Sequence, residues 1–518
     1  MYFIYYYFVY AMGNLLIKCF SKTRHRIYNF QINKRVFSIQ DIPPNFEGNM
    51  RFETKSICDK YLYKSKRNNI EHIPTTIRSY NKNYVVKYSR IIRNPSSDFI
   101  NLGNQWHEKV FADFRTRICG LYNAGDYVII DSNIYNIYRF NQTVGAEFEI
   151  PPSAIFIFEA TELNKSMGSV LDIVRVLELN RVNKSNKIIV IGGGITQDVG
   201  GFAATMYKRG IPWVFIPTTL LAMADSCIGG KLCLNHAGSK NILSIFNAPN
   251  AVYIYPDLII TLPEDDIVSG MGEIYKLCII GGADVCLHVA LTPDYNYFDT
   301  EWRTYIDYYM NLIQLSHIIK KVIIEEDEFD AGERRALNYG HTFGHAIEAA
   351  TNYYIPHGIA VLYGIYIVNR LFYDDFCRLN DDDATEINIF NSINDFIVDI
   401  IPAKYKINVA DSHEIDISMS DIFDHVLADK KNTVANKIKL VVLEHIGQTR
   451  LVDYELTDEN RERITEIFDT CGFNTIYRPR LCVNPNGMVT STSMKNHRRG
   501  SGGGGGTIIA AVEREPDY

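Results

Sequence analysis

Hydrophobic and polar positions change their period along the chain, and the change predicts two kinds of structure. From Tyr84 onward, short β-rich runs such as YVVKY and DYVIID alternate with segments of helical period, which predicts strands alternating with helices. Such alternation is typical of a parallel α/β sheet. After about Leu262 the β-rich runs become rare, and long apolar segments of period 3.6 dominate. We therefore predict a Rossmann-like α/β domain over residues 84–262 and an all-helical domain over residues 263–470.

The two ends of the chain lack this pattern. Residues 1–17 carry no charge and are followed at once by basic residues, but a membrane span needs about 20 apolar residues. Three interpretations stay open: a start of translation at Met12, a dispensable extension, or a membrane anchor with the basic residues in the cytosol. We treat residues 1–83 as an extension without assigned chemistry. The segment 471–518 contains Gly502–Gly506 and is predicted to be a flexible tail.

Composition and charge narrow the classes of function. With 518 residues and 47% hydrophobic side chains, the chain can build two to four domains with proper cores. Its 53 basic and 60 acidic residues leave a net charge of −7, which argues against nucleic acid as a partner. The ten cysteines form no CxxC pair, so neither a zinc ribbon nor a disulfide framework is predicted. We expect a reducing, cytoplasmic location.

A glycine-rich turn is the first candidate for ligand binding. The β-rich run KIIVI leads into Gly192–Gly194, and a helical pattern follows. Glycines at such a turn let backbone N–H groups approach a pyrophosphate, and the helix N-terminus favours its charge. The spacing is not GxGxxG, so the turn alone is as often structural as nucleotide-binding. Asp131 at the end of an earlier strand, and Glu162 and Lys165 before the turn, are charged residues of the kind that contact ribose or adenine.

Two further segments carry lysines between glycines in an apolar context. Thr218 and Thr219 precede Asp225, and the pairs Gly230-Lys231 and Lys240-Asn241 follow. Lysines in such loops are typical of sites for phosphate or carboxylate oxygens. The alternative is a pair of surface loops with solvated lysines.

The densest polar pattern lies between positions 334 and 348. Steps of four, three, four and three residues predict one helical face that carries five polar groups: Arg334, Asn338, His341, His345 and Glu348. With His357 and Glu273, this region offers a glutamate and two histidines around an open position, which is typical of a catalytic zinc site. The alternative is a set of hydrogen-bonded core histidines.

Six motifs, in order and spacing, resemble the dehydroquinate synthase family of sugar phosphate cyclases: GGGITQDVGGFAATMYKRG, PTTLLAMADSCIGGK, KNILSIFNAP, TLPEDDIVSGMGEIYK, RALNYGHTFGHAIEA and ADKKN. The match covers roughly residues 84–455. The resemblance implies an active site in a cleft between the two domains, usually in a homodimer, with bound NAD and one divalent metal, typically zinc and alternatively cobalt. The implied reaction converts 3-deoxy-arabino-heptulosonate 7-phosphate to 3-dehydroquinate by phosphate elimination and intramolecular aldol closure.

The resemblance also implies roles for individual residues. The metal ligands would be Glu273, His341 and His357, and His345 would be a catalytic histidine. NAD would contact Asp131, Glu162, Lys165, Gly193, Gly194, Asp198, Thr218, Thr219, Lys240 and Thr261. The substrate would contact Asp225, Lys231, Asn241, Lys276, Lys320, Arg334, Asn338 and Lys430, and its phosphate would meet Arg209 from the neighbouring subunit.

Some positions depart from the family pattern and keep other functions open. Leu232 and Cys233 follow Lys231 where the family usually has Thr-Gly, and Ile359 replaces a common glutamate. Leu337-Asn338 favours the dehydroquinate type over the valiolone-forming cyclases. Three alternatives remain: a cyclase for sedoheptulose 7-phosphate or a similar sugar, a metal-dependent polyol dehydrogenase, and a non-catalytic NAD-binding relative.

Overall fold

The computed structural model describes most of the region between residues 75 and 470 and three short strands beyond it. The described ranges are 75–79, 82–91, 106–138, 140, 150–237, 239–282, 302–381, 383–402, 405, 416–428, 436–470, 474–475, 481–483 and 489–491. Residues 1–17, Gly502–Gly506 and Lys430, for which we made predictions above, lie outside these ranges. Within them, no helix combines the length and the apolar character needed to cross a bilayer.

A seven-stranded sheet forms the first part of the described fold. Its strands are β1 (Thr75–Ile77), β2 (Tyr84–Tyr88), β3 (Tyr127–Asp131), β4 (Ile155–Phe158), β5 (Ile188–Gly192), β6 (Trp213–Pro217) and β9 (Ala251–Ile254). They lie in the order β1-β2-β9-β6-β5-β3-β4, and only β1 runs antiparallel to its neighbour. All five residues of β3, β5 and β6 are buried, as expected for central strands of a parallel sheet that is covered on both faces. The predicted parallel α/β sheet is confirmed.

Helices connect the parallel strands and pack on the sheet. They are α1 (Trp106–Leu121), α2 (Ser132–Ile137), α3 (Met167–Leu179) and α4 (Gly194–Met206). The order of the strands reverses at β3, which leads to β4 on one side while the chain returns to β5 on the other. Ligands of open α/β sheets bind at such a switch point, outside the carboxyl ends of the strands. Here that edge carries Asp131 at the end of β3 and the glycine turn after β5.

A hairpin and a π-helical turn extend this edge. The π-helix spans Ala222–Ser226, and the hairpin consists of β7 (Lys231–His236) and β8 (Ser239–Phe246). A turn of π-helix is rare and often lies at a functional site. Asp225, Lys231, Lys240 and Asn241 all belong to these two elements.

The second part of the fold is helical. It contains α5 (Glu264–Gly281), α6 (Trp302–Glu326), α7 (His341–Ala350), α8 (His357–Leu371), α9 (Tyr373–Leu379), α10 (Ala384–Ile400), α11 (Met419–Leu427) and α12 (Asp458–Thr470). The predicted helical region is confirmed. It also contains an antiparallel hairpin of β11 (Lys437–His445) and β12 (Gln448–Glu455), which an all-helical domain would lack. Short strands β10 (Asp416–Ile417) and β13 (Asn474–Thr475) pair with each other, and β14 (Leu481–Val483) and β15 (Val489–Ser491) form a hairpin in a separate unit, Ile476–Tyr518.

Glycines allow α5 and α8 to cross at very short range. A Cβ atom on Gly358 would lie 1.7 Å from the carbonyl oxygen of Ser269, and one on Gly272 would lie 2.2 Å from the carbonyl oxygen of Gly358. Real Cβ atoms do not approach that closely, so both positions require glycine for this packing. Because Glu273 follows Gly272 and His357 precedes Gly358, the crossing brings these two side chains together.

Candidate active site

A glutamate and two histidines meet where α5, α7 and α8 converge. Oε1 of Glu273 lies 3.5 Å from Nε2 of His341 and 3.4 Å from Nε2 of His357. The Glu273 side chain is 1% exposed, and its Oε1 accepts no hydrogen bond from the described residues. We call Glu273, His341 and His357 the Glu273 cluster.

The geometry of the Glu273 cluster fits a small divalent cation. Ligand atoms at zinc distances of about 2.0–2.2 Å in tetrahedral directions lie about 3.4 Å apart, which matches both measured distances. A buried carboxylate oxygen without a hydrogen bond is costly unless it is coordinated or paired. The nitrogens of His341, His345 and His357 also approach within 4.8 Å of one another. His345 is therefore close enough to act on a molecule bound at the cluster, and its ring lies 5.2 Å from that of His341.

Outer contacts orient both imidazoles of the cluster. Nδ1 of His341 lies 3.1 Å from the carbonyl oxygen of Tyr339, and Nδ1 of His357 lies 2.9 Å from Oε2 of Glu348. Each Nδ1 faces an acceptor, so each ring carries its proton there and leaves Nε2 unprotonated toward Glu273 in the neutral tautomer. Such outer partners are usual for histidines that bind metals.

Charges around the cluster keep Glu273 and the neighbouring Glu348 ionised. Burial opposes the charge of Glu273, but Lys276 and His357 hold the pKa of that carboxyl well below its usual range. Burial likewise opposes the charge of Glu348, yet His357 and Lys240 lower its pKa to about 2. Against the cost of burial, Glu348 and Glu273 raise the pKa of His357 to about 10 in the absence of a metal. An ionised carboxylate is the form that binds a cation.

Cations surround the space next to the cluster. Nζ of Lys276, 2% exposed, contacts Oε2 of Glu273. Nζ of Lys320 lies 3.0 Å from Oδ1 of Asp225 and donates to the Asp225 carbonyl at 2.6 Å. Burial opposes the charge of Asp225, but Lys320 and Lys276 lower the pKa of this acid. The structure thus brings together Asp225, Lys276 and Lys320, which come from three separate segments.

A second pair of cations lies beside Lys320. Nζ of Lys231 contacts Oδ2 of Asp330 at 2.6 Å, and the guanidinium of buried Arg334 donates to the carbonyl oxygen of Gly229 at 3.0 Å. Burial and the nearby Arg334 lower the pKa of Lys231 to about 8, although Asp330 acts in the opposite direction. Such cations are suited to bind phosphate or carboxylate oxygens.

The predicted continuous helical face over residues 334–348 is wrong. Arg334 and Asn338 lie in a 3₁₀-helix, Glu333–Asn338, and Gly340 separates it from α7 with a left-handed φ of 77°. Glycine adopts this conformation without steric strain, so the chain turns there and a new helix begins at His341. His341, His345 and Glu348 do share a face of α7. Arg334 reaches the region through tertiary packing against Gly229 instead.

Most residues predicted to contact NAD lie at the carboxyl edge of the sheet. Nζ of Lys165 lies 2.7 Å from Oδ2 of Asp198 and donates to Oδ1 of Asn241 at 2.8 Å. Nζ of Lys240 lies 3.5 Å from Oε1 of Glu162 and 3.2 Å from Oε1 of Glu348. We call Glu162, Lys165, Asp198 and Lys240, together with the glycine turn after β5, the cofactor edge; Asn241, predicted to contact the substrate, lies beside it. It is continuous with the Glu273 cluster through Glu348.

The glycine turn at this edge has the features of an anion site. Gly193 caps α4 without a side-chain hydrogen bond from the cap among the described residues, and the N–H groups of a helix N-terminus are suited to bind an anion. Thr218 is buried after β6 and its N–H donates to the carbonyl oxygen of Gly192. Thr219 lies beside the same turn, since a Cβ on Gly193 would meet its methyl group at 3.1 Å.

The remaining predicted residues differ in their surroundings. Asp131 caps α2 by accepting from the N–H of Asn133 at 2.7 Å. Thr261 bonds to the hydroxyl of Tyr138 at 3.1 Å. Arg209 is exposed after α4, and no contact within the described residues joins it to the cluster. Asn338 is partly buried at the end of its 3₁₀-helix.

Three polar residues of this region have no individual role among the predictions from the sequence. Glu348 belongs to the predicted polar face, and its spacing from His341 is the signal that points to it. Asp330 pairs with Lys231 across 99 positions, a contact that no local pattern reveals. Buried His317 lies 2.6 Å from the carbonyl oxygen of Met223 through Nε2, one turn from Lys320 on α6, and supports the π-helical turn.

Comparisons with known proteins show the family of the chain. Two family models match consecutive parts of the chain: 3-dehydroquinate synthase N-terminal over residues 155–269 and 3-dehydroquinate synthase C-terminal over residues 270–432. The 3-dehydroquinate synthase of Pelagibacter ubique is 34% identical over 306 residues, which are 57% of this chain and 76% of that protein.

Two solved structures share the fold. A 2-deoxy-scyllo-inosose synthase complexed with carbaglucose-6-phosphate, NAD+ and Co2+ has a TM-score of 0.56 at 19% identity, covering 76% of this chain and 100% of that chain. The 2-epi-5-epi-valiolone synthase from Streptomyces hygroscopicus subsp. jinggangensis 5008, with NAD+ and Zn2+ bound, has a TM-score of 0.50 at 20% identity, covering 67% and 90%. From the matched family models and the identity to a curated relative, the chain belongs to the 3-dehydroquinate synthase family of phosphate-eliminating lyases.

Proposed function

We propose that this chain converts 3-deoxy-arabino-heptulosonate 7-phosphate to 3-dehydroquinate with the help of NAD and one divalent metal. The observation that carries the proposal is the Glu273 cluster with Lys276 and Lys320 beside it. A metal-binding set surrounded by several cations suits a substrate with a hydroxyl to be coordinated and anionic groups to be held. Membership of the family supports the choice of reaction.

Glu273, His341 and His357 would hold the metal, and the cofactor edge would hold NAD. When bound, NAD would supply reversible hydride transfer and the metal would supply polarisation of the substrate oxygen, so that the C–H bond next to the oxidised carbon would become acidic enough for phosphate to leave. The solved relatives with NAD+ and Co2+ or Zn2+ support this cofactor pair, and zinc is our first choice because the ligands are one carboxylate and two imidazoles.

The side chains near the cluster would orient the substrate. Lys231, Lys276, Lys320 and Arg334 supply positive charge for phosphate and carboxylate oxygens, and Asn241, Asn338 and Lys430 would add contacts. Asp225 holds Lys320 in place, and His345 lies where it could carry a proton to or from the reacting sugar.

We further propose a homodimer in which Arg209 binds the phosphate of the substrate in the neighbouring subunit. The exposure of Arg209 in a single chain supports this assignment. Sedimentation of the purified protein should give twice the mass of one chain, and a monomer that turns over at full rate would contradict it.

The direct test is phosphate release from a panel of seven-carbon sugar phosphates. Protein supplied with NAD+ and Zn2+ should release phosphate from 3-deoxy-arabino-heptulosonate 7-phosphate and form 3-dehydroquinate without net accumulation of NADH. Release from sedoheptulose 7-phosphate alone would identify a different cyclase, an outcome that Leu232 and Cys233 beside Lys231 make worth testing. Net formation of NADH from a polyol would identify a dehydrogenase instead.

A further inference from the structure

A single buried carboxylate joins the cofactor edge to the Glu273 cluster. Glu348, on the last turns of α7, has a side chain that is 5% exposed. Its Oε2 lies 2.9 Å from Nδ1 of His357, and its Oε1 lies 3.2 Å from Nζ of Lys240. The two oxygens therefore contact two different segments, each proposed above to bind a different cofactor.

On one side, Glu348 fixes the orientation and the tautomer of the His357 ring. Its carboxylate accepts the Nδ1 proton of His357, which directs Nε2 toward Oε1 of Glu273 at 3.4 Å. An ionised acceptor on Nδ1 also makes the opposite nitrogen a better electron donor to a cation. Removal of this oxygen would free the ring to rotate or to change its tautomer.

On the other side, Glu348 competes with a ligand at the cofactor edge for the charge of Lys240. Nζ of Lys240 lies 3.2 Å from Glu348, 3.5 Å from Glu162 and 4.0 Å from the ring centroid of Tyr353. The lysine side chain is 26% exposed, so it can turn toward a ligand at the cofactor edge. If it does, Glu348 loses a cation partner and its charge acts more fully on His357.

We propose that Glu348 is a positioning residue that couples the metal site to the cofactor site through His357 and Lys240. The inference rests on the proposed function, since it takes His357 as a metal ligand and Lys240 as a contact of NAD. It predicts that NAD+ increases the affinity of the protein for the metal. By thermodynamic reciprocity, the metal then increases the affinity for NAD+ by the same factor. Couplings of this kind commonly reach about fivefold or more.

The test measures Co2+ affinity by titration of metal-free protein, with and without saturating NAD+, and follows the visible spectrum of bound Co2+. Glu348→Ala removes both contacts, and we expect about a 10- to 100-fold loss of Co2+ affinity with a changed spectrum. Glu348→Gln keeps an oxygen for Nδ1 of His357 but no charge for Lys240. It should keep most of the Co2+ affinity and lose the effect of NAD+.

Two further variants separate coupling from general damage. Lys240→Met removes the cation partner of Glu348 and leaves its contact with His357, so Co2+ should bind as tightly as in the unchanged protein saturated with NAD+, and NAD+ should add no further effect. Glu178→Gln makes the same chemical change at an exposed position of α3 and should behave as the unchanged protein in every measurement.

The results also separate this inference from the proposed function. If the unchanged protein binds Co2+ and NAD+ and releases phosphate, but Glu348→Ala binds Co2+ equally well, the positioning role is wrong and the proposed function stands. Coupling that persists in Glu348→Gln and Lys240→Met would likewise overturn the proposal. If the unchanged protein binds neither Co2+ nor NAD+, the proposed function and the coupling both fail.

Discussion

The cofactor edge and the Glu273 cluster hold their charges in different ways. At the cofactor edge the oppositely charged groups already pair with each other, as Lys165 does with Asp198 at 2.7 Å. In the Glu273 cluster a buried carboxylate oxygen accepts no hydrogen bond within the part of the chain that the structure describes, and it faces two imidazole nitrogens. The first arrangement satisfies its charges by ion pairs between side chains, whereas the second directs a carboxylate oxygen and two imidazole nitrogens toward a common point, as a cation site requires.

The backbone contributes differently in the two regions as well. The cofactor edge depends on the glycine turn after β5 and on the N-terminus of α4, so its geometry comes largely from main-chain atoms. The cluster depends on the identity of three side chains brought together by the glycine-mediated crossing of α5 and α8. We therefore expect single substitutions to reduce affinity for the metal by a large factor and affinity for NAD+ by a smaller one.

Loss of a cluster histidine should have the largest effect. His341→Ala leaves two ligands, which hold zinc poorly. Since loss of an outer partner of a ligand costs about 10- to 100-fold in metal affinity, loss of the ligand itself should exceed about 100-fold and abolish turnover. Metal content of the purified variant by elemental analysis tests this, with binding of NAD+ measured in parallel. Full metal content would remove His341 from the ligand set.

Replacement of the buried lysine should reduce turnover without loss of cofactor. Lys276→Met removes a cation that we expect to stabilise developing charge on the substrate, and loss of one such group costs about 100-fold in kcat. Binding of NAD+ should stay unchanged because no cofactor-edge residue contacts Lys276 in the described structure. Single-turnover kinetics and NAD+ titration separate the two effects. Unchanged kcat would exclude a catalytic role for this lysine.

A change at the cofactor edge should be milder. Asp198→Asn removes the charge opposite Lys165, which keeps its hydrogen bond to Asn241. A charge-assisted hydrogen bond contributes about 1.5–3 kcal/mol, and because Lys165 keeps its bond to Asn241 we take the lower end, which corresponds to about a tenfold weaker affinity for NAD+. Metal content should stay unchanged. Titration with NAD+, followed by quenching of the protein fluorescence, measures the affinity for NAD+. Elemental analysis measures the metal content. Loss of metal in this variant would show that the two regions are not separable.

The same contrast explains what could be predicted from the sequence. The alternation of strands and helices and the glycine turn are local patterns, and they predicted the sheet and its carboxyl edge. Glu273, His341 and His357 could be proposed because each lies in a short motif with glycine neighbours. The predicted helical face is interrupted at Gly340. A spacing of four and three residues does not reveal that this glycine has a left-handed backbone conformation and separates two helices.

Contacts between distant segments could not be predicted. Arg334 contacts Gly229, and Asp330 contacts Lys231, through tertiary packing between segments that are far apart in the sequence. The hairpin of β11 and β12 was missed because its alternation is partly hidden by a run of buried residues in β11, which resembles the core face of a helix.

The smallest expected effect concerns the pH dependence of substrate capture. Burial and Arg334 lower the pKa of Lys231 to about 8, and Asp330 opposes that shift. In the free enzyme kcat/KM should therefore fall as pH rises through about 8, where Lys231 loses the charge that attracts phosphate. Asp330→Asn removes the opposing charge, so the pKa of Lys231 and the alkaline limb should move to lower pH. Lys231→Arg should move the limb upward, because a guanidinium stays charged. If both variants keep the unchanged profile, Lys231 does not govern the alkaline limb, and its charge serves the ion pair with Asp330 rather than the substrate.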